Sequence, residues 1–324
     1  MPKSDPKRLE MIADVARLYY EENINVKAIA TLFETSPSSV SRLLQEAKDL
    51  KIVQVVIHYP FLTVPSLGEQ LRQHLALKDA YVLPDFRGPY PELMQRLGQL
   101  AARVLEERLD EGLTLGVSQG LAVACTARAF TMTRGIHCTV VRLHGASDHE
   151  IEEGNNLAQI FSAQLGGQFK LIPSPLFMQS RSSRDLILEE PSVQDMIRQA
   201  EGADVALVGL GAMDPALSTL VRNRLLSAGE LAALRKAGAV GEVCGKYYDA
   251  QGRPLDTEIN HRTVSIDIGR LRCMDQVLGV AAGAGKVEAI LGAVRGGLVN
   301  VLVTHAETAR LLLKAPASKP IAEP

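Results

Sequence analysis

From residue 67 to 314, helical and strand periods alternate along the chain, and this alternation limits the possible folds more than any other feature of its 324 residues. Helix patterns at 67–78, 91–109, 120–130, 155–165 and 183–200 are separated by short apolar strands at 80–83, 113–117, 138–143, 169–172 and 204–208. After 215 the order loosens into helices up to Ala237 and a polar stretch, VGEVCGKYYDAQGRPLDTEINHRTVSID, in which Asp249-Ala-Gln-Gly252 reads as a turn. Strands at 277–281 and 299–303 and helices at 286–295 and 306–314 then restore it. Strands that read as continuous apolar runs are buried on both faces. The expected class is therefore α/β, a doubly wound parallel sheet covered by helices on each side.

The first 60 residues have a different texture. A helix pattern at 8–22 precedes VKAIATLFETSPSSVSRLLQEAKDLKIVQVVI, in which Val26, Ile29, Ala30 and Phe33 share one helical face and Val40, Leu43, Leu44 and Ala47 the next. Ala30 is small enough to let the second helix cross the first closely. Ser36 suits the cap of that helix and Pro37 its first turn. A strand at 53–58 follows, so the pattern is a helix-turn-helix with a strand behind it. The exposed face of the second helix carries Ser38, Ser39, Ser41, Arg42 and Gln45, donors suited to phosphates and base edges in a major groove. Periodicity alone also fits a helical hairpin with a solvated polar face. Residues 1–58 hold eight Lys or Arg against eight acids, so no basic excess drives non-specific attraction to DNA. If this segment reads DNA, several copies have to act together through symmetry.

Composition narrows the function classes. A net charge of −2 excludes a polyanion-coating protein, and with no Trp and 4% aromatic residues a base-stacking surface for single strands is not expected. Cys125, Cys138, Cys244 and Cys273 are scattered, with no CxxC pair, which points to reduced thiols in the cytoplasm and away from a zinc ribbon. His144, Asp148 and His149 match no ordinary metal spacing, and no metal or cofactor is expected. No apolar run approaches the roughly 20 residues of a membrane span. The prolines at 60 and 65 place a domain boundary near 60, and the Pro- and Ala-rich tail begins at 317.

Ligands of open parallel sheets sit beyond the carboxyl ends of the strands, and three loops at such ends are glycine-rich. Gly116-Val-Ser-Gln-Gly120 offers backbone amides with Ser118 and Gln119 as side-chain donors at a helix start, or is simply a tight turn. It has the GxSxG form of a nucleophile elbow, but no partner residues for a hydrolase can be assigned. The second loop contains Gly209 and Gly211, with Asp214 as a helix cap. In the third, AAGAGK, Lys286 heads a helix as an anion anchor or a solvated lysine. Asp256, Glu258, Asn260 and His261 form a polar cluster that could hold hydroxyl groups.

Both ends of the chain point to one family. VKAIATLFETSPSSVSRLLQEAKDLKIVQVVI resembles the DNA-reading segment of the SorC family of sugar-responsive bacterial transcriptional regulators, and AGAGKVEAILGAVRGGLVNVLVTHAETARLLL resembles that family's C-terminal signature. GVSQG, LVGLGAMD and KYYDAQGRPLDTEINHRTVSI fall between them in the family's order. The resemblance implies a winged helix-turn-helix at 1–60 and, at 61–316, a Rossmann-like effector and oligomerisation domain similar to sugar-phosphate isomerases and deaminases. Carried over, the loop from Gly116 to Gly120 faces a phosphate, Asp256 the sugar hydroxyls and Lys286 the anionic end, with Arg184 and Arg181 as weaker members of the pocket.

Three residues depart from the family pattern. Ala122 stands where threonine is common, His305 where an aspartate follows the VT pair, and Glu34 where a helix-turn-helix often has glycine. Losing one charge-assisted hydrogen bond costs roughly 1.5–3 kcal/mol, so a free sugar or polyol competes with a sugar phosphate as the expected effector. The expected protein is a cytoplasmic repressor of a carbohydrate-utilisation operon, not an enzyme. It pairs with double-stranded operator DNA through Ser36, Ser38, Ser39, Ser41 and Arg42 and forms a homo-oligomer, dimer or tetramer. The alternative is an isomerase- or deaminase-like enzyme with an N-terminal appendage, for which His305 and Asp256 are the residues to test.

Overall fold

A computed structural model of the chain describes residues 6–50, 52–53, 63–132, 134–146 and 156–317. The chain divides into two compact units, Met1–Pro60 and Phe61–Pro324. In the first, α1 (Pro6–Tyr20), α2 (Val26–Leu32) and α3 (Pro37–Asp49) close on a core that includes Val15, Ile29, Ala30, Val40, Leu43 and Ala47. At seven residues α2 is far below the ~12–15 needed by an isolated helix, so its packing on α3 is what holds it. Caps fix both starts: Asn25 Oδ1 accepts the Ala28 amide at 3.0 Å, and Ser36 Oγ accepts the Ser39 amide at 3.1 Å ahead of Pro37. Apart from Val53, the strand expected at 53–58 lies outside the described residues.

The second unit begins with α4 (Pro65–Leu75), β1 (Asp79–Leu83), α5 (Tyr90–Glu106), β2 (Thr114–Val117), α6 (Leu121–Ala129) and β3 (Thr139–Arg142). Then come α7 (Leu157–Leu165), β4 (Phe169–Lys170), α8 (Arg181–Glu189), α9 (Pro191–Glu201), β5 (Val205–Gly209) and β6 (Gly211–Ala212). Next are α10 (Thr219–Arg222), α11 (Ala228–Lys236), β7 (Gly241–Val243), β8 (Lys246–Tyr248) and α12 (Glu258–His261). β9 (Gln276–Val280), α13 (Val287–Arg295), β10 (Val301–His305) and α14 (Ala306–Leu312) complete it.

Seven strands form one parallel sheet in the order β1-β10-β9-β5-β2-β3-β4. The two-residue period is visible in β5. Val205 and Leu207 face a core shared with Leu97 of α5, Val123 of α6 and Phe161 of α7, while Ala206 and Val208 face one shared with Leu71 of α4, Ile290 of α13 and Leu312 of α14. Burial on both faces explains why these strands read as unbroken apolar runs.

Two differences from expectation have local causes. The helix expected at 183–200 is broken into α8 and α9, because Pro191 lacks an amide and holds Glu190 in extended backbone (φ −65°, ψ 125°). The loose region after 215 contains an antiparallel sheet, β6-β7-β8, whose hairpin turns at Cys244 and Gly245 (φ 52° and 81°). Positive φ at both positions is what a type I′ turn requires. No helix among the described residues is long and apolar enough to cross a membrane.

Candidate functional site

The winding of the sheet reverses between β2 and β5: from β2 the chain moves out to β3 and β4, and from β5 it moves the other way to β9 and β10. Loops leaving neighbouring strands in opposite directions open a crevice at such a point. A cavity of about 40 Å³ lies there, lined by Gln119 and Gly120 after β2, Gly209 to Gly211 after β5, Tyr90 and Met94 of α5, the segment around Leu217 to Leu220, Glu242 of β7 and Lys286.

Ser118 builds the crevice more than it lines it. The side chain is 3% exposed; its Oγ accepts the Gly209 amide at 3.1 Å and donates to the Gln119 carbonyl at 3.3 Å, tying the ends of β2 and β5 together. Gly120 (φ 130°, ψ 161°) then turns the chain into α6, whose start has no side-chain cap. Amides of an uncapped first turn are donors for a guest oxygen.

Gly211 leaves room for a carboxylate, since a Cβ at this position would lie 2.4 Å from Glu242 Oε2. Glu242 Oε1 accepts the Gly245 amide of the hairpin turn at 2.6 Å. Burial pushes this carboxyl up to about 7, against the pull of the Gly245 amide and the Lys286 charge. Lys286 is 7% exposed and donates from Nζ to the Leu210 carbonyl at 2.6 Å. Burial brings its ammonium down to about 8; Glu242 and Asp214 oppose that fall and Arg222 adds to it. An acid and a base, each shifted toward neutrality by the same enclosed site, therefore share this cavity.

Of the residues expected from sequence, Gln119, Gly120, Gly209, Gly211 and Lys286 meet at the cavity. Gly116, Ser118, Asp256 and Arg184 do not line it. Gly116 lies inside β2, where a Cβ would be 2.6 Å from Leu143 Cδ2, so its role is packing. The Asp256 side chain is 92% exposed and pairs with His261 Nε2 at 2.6 Å. Arg184 Nε donates to the His261 carbonyl at 2.8 Å while its Nη1 pairs with Asp185 at 2.9 Å, and the exposed Arg181 also faces Asp185. His305, at the end of β10, has Nδ1 2.7 Å from Thr308 Oγ1, and burial lowers its pKa. Neither it nor Asp256, the two residues of the enzyme alternative, lines the cavity. Asp148 and His149 lie outside the described residues.

Sequence reasoning missed Glu242 and Tyr90. The one available signal for Glu242 was an acid set between Gly241 and Val243 at the start of an otherwise apolar strand.

In the first unit, α3 presents Ser36, Ser38, Ser41, Arg42 and Gln45 to solvent, with Ser39 half-buried. Ser36 Oγ gathers the hydroxyls of Ser38 (2.8 Å) and Ser39 (2.9 Å), and Ser41 Oγ donates to the Pro37 carbonyl at 3.0 Å. The hydroxyls thus cluster over the first turn, and the Arg42 guanidinium lies on the same exposed face one turn along.

Comparison with known proteins bears on both units. The family described as "Putative sugar-binding domain" matches residues 59–314. The chain is 30% identical over 321 residues to the sorbitol operon regulator of Klebsiella pneumoniae, covering 97% of this chain and 100% of that one. It is 28% identical over 312 residues to the deoxyribonucleoside regulator of Bacillus subtilis (strain 168), covering 95% and 99%. The crystal structure of the full-length sorbitol operon regulator SorC from K. pneumoniae superposes with a TM-score of 0.70, at 28% identity over 95% of this chain and 99% of that one.

Proposed function

From the premise that the chain belongs to the SorC family of sugar-responsive transcriptional regulators, we propose that it is a repressor of a carbohydrate-utilisation operon whose effector occupies the cavity between β2 and β5. The observation that carries this reading is a cavity at the switch point of a parallel sheet, in a chain that also presents a capped helix of serines and an arginine. Gln119, the amides after Gly120, Glu242 and Lys286 hold the effector. Ser118 acts on it indirectly, by fixing the two strand ends. Ser38, Ser39 and Arg42 contact bases or phosphates, with Ser36 and Ser41 shaping the first turn that approaches the backbone. The protein works in the cytoplasm on double-stranded operator DNA as a homo-oligomer, dimer or tetramer, joined through its second unit.

Regulation follows from unequal affinity: an effector releases DNA only if it binds the DNA-free conformation more tightly. Mobility shifts on the intergenic DNA beside the protein's own gene test the reading. The expected result is a sequence-specific shift at moderate salt that a carbohydrate reverses, and its absence overturns the assignment. The two residues of the enzyme alternative, His305 and Asp256, stand apart from the cavity.

A further inference from the structure

The chemistry of the cavity narrows the class of effector, and this step rests on the reading above that the effector binds there. We propose that the effector is an uncharged polyhydroxy compound, a polyol or free sugar without phosphate, held by its hydroxyls between Glu242 and Lys286. Glu242 has one oxygen on the Gly245 amide, and among the described residues Oε2 has no hydrogen-bond partner. Oε2 is set against Gly211, where only a hydrogen replaces a side chain, so it is an acceptor open to the cavity. Lys286 has one donor on the Leu210 carbonyl, and an ammonium carries three. An acceptor and a donor on one cavity match a hydroxyl, which both gives and takes a hydrogen bond.

A phosphate fits this wall poorly. The Lys286 ammonium is drawn up by Glu242 and Asp214 and down by Arg222, so it does not stand as an isolated cation before a guest. A phosphate dianion meets the ionised form of Glu242 as a like charge and binds only as that carboxyl takes up a proton. Ser118 Oγ, a natural phosphate donor, is already engaged with Gly209 and Gln119. Ala122 contributes a methyl to the lining instead of a hydroxyl. The amides at the start of α6 remain, and they serve hydroxyl oxygens as well as phosphate oxygens.

The test is calorimetry and thermal shift on the full chain with erythritol, xylitol, sorbitol and the free aldoses of the same carbon numbers. Inorganic phosphate and the matching phosphomonoesters are run beside them, on the wild type and on Glu242→Gln. The expected result is that an uncharged probe raises the melting temperature and releases operator DNA, and that Glu242→Gln, which keeps the shape and removes the charge-assisted acceptor, weakens its binding about tenfold. The far-ultraviolet circular dichroism and the ligand-free melting of Glu242→Gln serve as the folding control. If a phosphomonoester binds more tightly than every uncharged probe, and the variant strengthens that binding, the inference is overturned while the effector-cavity reading stands. If neither class binds a protein that still shifts its operator, both are overturned.

Discussion

Glu242 and Lys286 give the cavity a signature in pH. In the folded chain the Glu242 carboxyl titrates near 7, against the ordinary 4.5, so folding favours its protonated form. The stability it contributes is fully present below about 4.5 and is lost as pH rises through about 7. Lys286 has the opposite sign. Its contribution is present above the ordinary 10.5 and is lost as pH falls through about 8, so below that it is constant. The charged or titratable groups that sense this pair are Arg222, Asp214, Cys244, Tyr247 and Tyr248, and the last three are pushed upward by burial and the Glu242 charge. Wild-type melting temperature should therefore fall from about pH 5 to about pH 7, relative to Glu242→Gln measured in the same buffers. Parallel melting curves for the two proteins would show that Glu242 is not the source. At this scale the sequence was only partly legible. Gly120 and Lys286 announced themselves by glycine-rich loops at strand ends, whereas Glu242 joins the cavity lining only because β7, 33 positions beyond Gly209, pairs back onto β6. The Ser118 hydroxyl bonds to Gly209 and Gln119 instead of pointing into the cavity, since whether a hydroxyl faces a guest or a neighbouring strand depends on strand order, which no local pattern encodes.

The element with the clearest internal conflict is the turn between α2 and α3. Glu34 holds φ at 49° there, and among L-residues that region costs roughly 1–2 kcal/mol. The amides of Glu34 and Thr35 close the turn on the Thr31 and Ala30 carbonyls at 3.3 and 2.9 Å, so the conformation is imposed by the end of α2. Glu34→Gly should stabilise the first unit by about 1 kcal/mol, less than the full strain because glycine gains freedom in the unfolded chain. Urea unfolding followed by circular dichroism checks this, and an unchanged or lower midpoint would mean that the carboxylate contributes more than the strain removes. Elements were legible where one physical rule dominated. Buried parallel strands require apolar runs, and Ser36-Pro37 marks a helix start, so both stand where periodicity put them. The small sheet was hidden because its turn is Cys244-Gly245 instead of an Asn-Gly signal, and because Glu242 and Lys246 interrupt its apolar pattern. The break at Pro191 was readable in principle, since the residue before a proline avoids the helical region, but amphipathic periods on both sides concealed it.

For the whole molecule, the balance of charge in the first 58 residues sets the terms of DNA binding. Eight basic and eight acidic side chains give no net attraction to a polyanion, and two of the arginines are held internally, Arg8 by Glu46 and Arg17 by Glu22. On the DNA-binding reading proposed above, the few phosphate contacts left to α3 make a single copy a weak ligand with a shallow dependence on salt. With the protein paired as proposed above, specific binding comes from two copies placed on two half-sites, where the second contact is made at an effective concentration fixed by the first. Such linkage strengthens binding by about 10²–10⁴ without any new contact. A fragment ending at residue 60 should accordingly bind operator DNA at least a hundredfold more weakly than the full chain, while keeping its helical circular dichroism. The remaining chain from 61 should keep the thermal shift with its effector and bind no DNA. Anisotropy titrations at two salt concentrations read both the affinity and the slope. The decisive quantity is their combination: a fragment with the full chain's affinity and slope would remove the need for paired copies, whereas loss of affinity with a smaller slope leaves pairing through the second unit as the source of specificity.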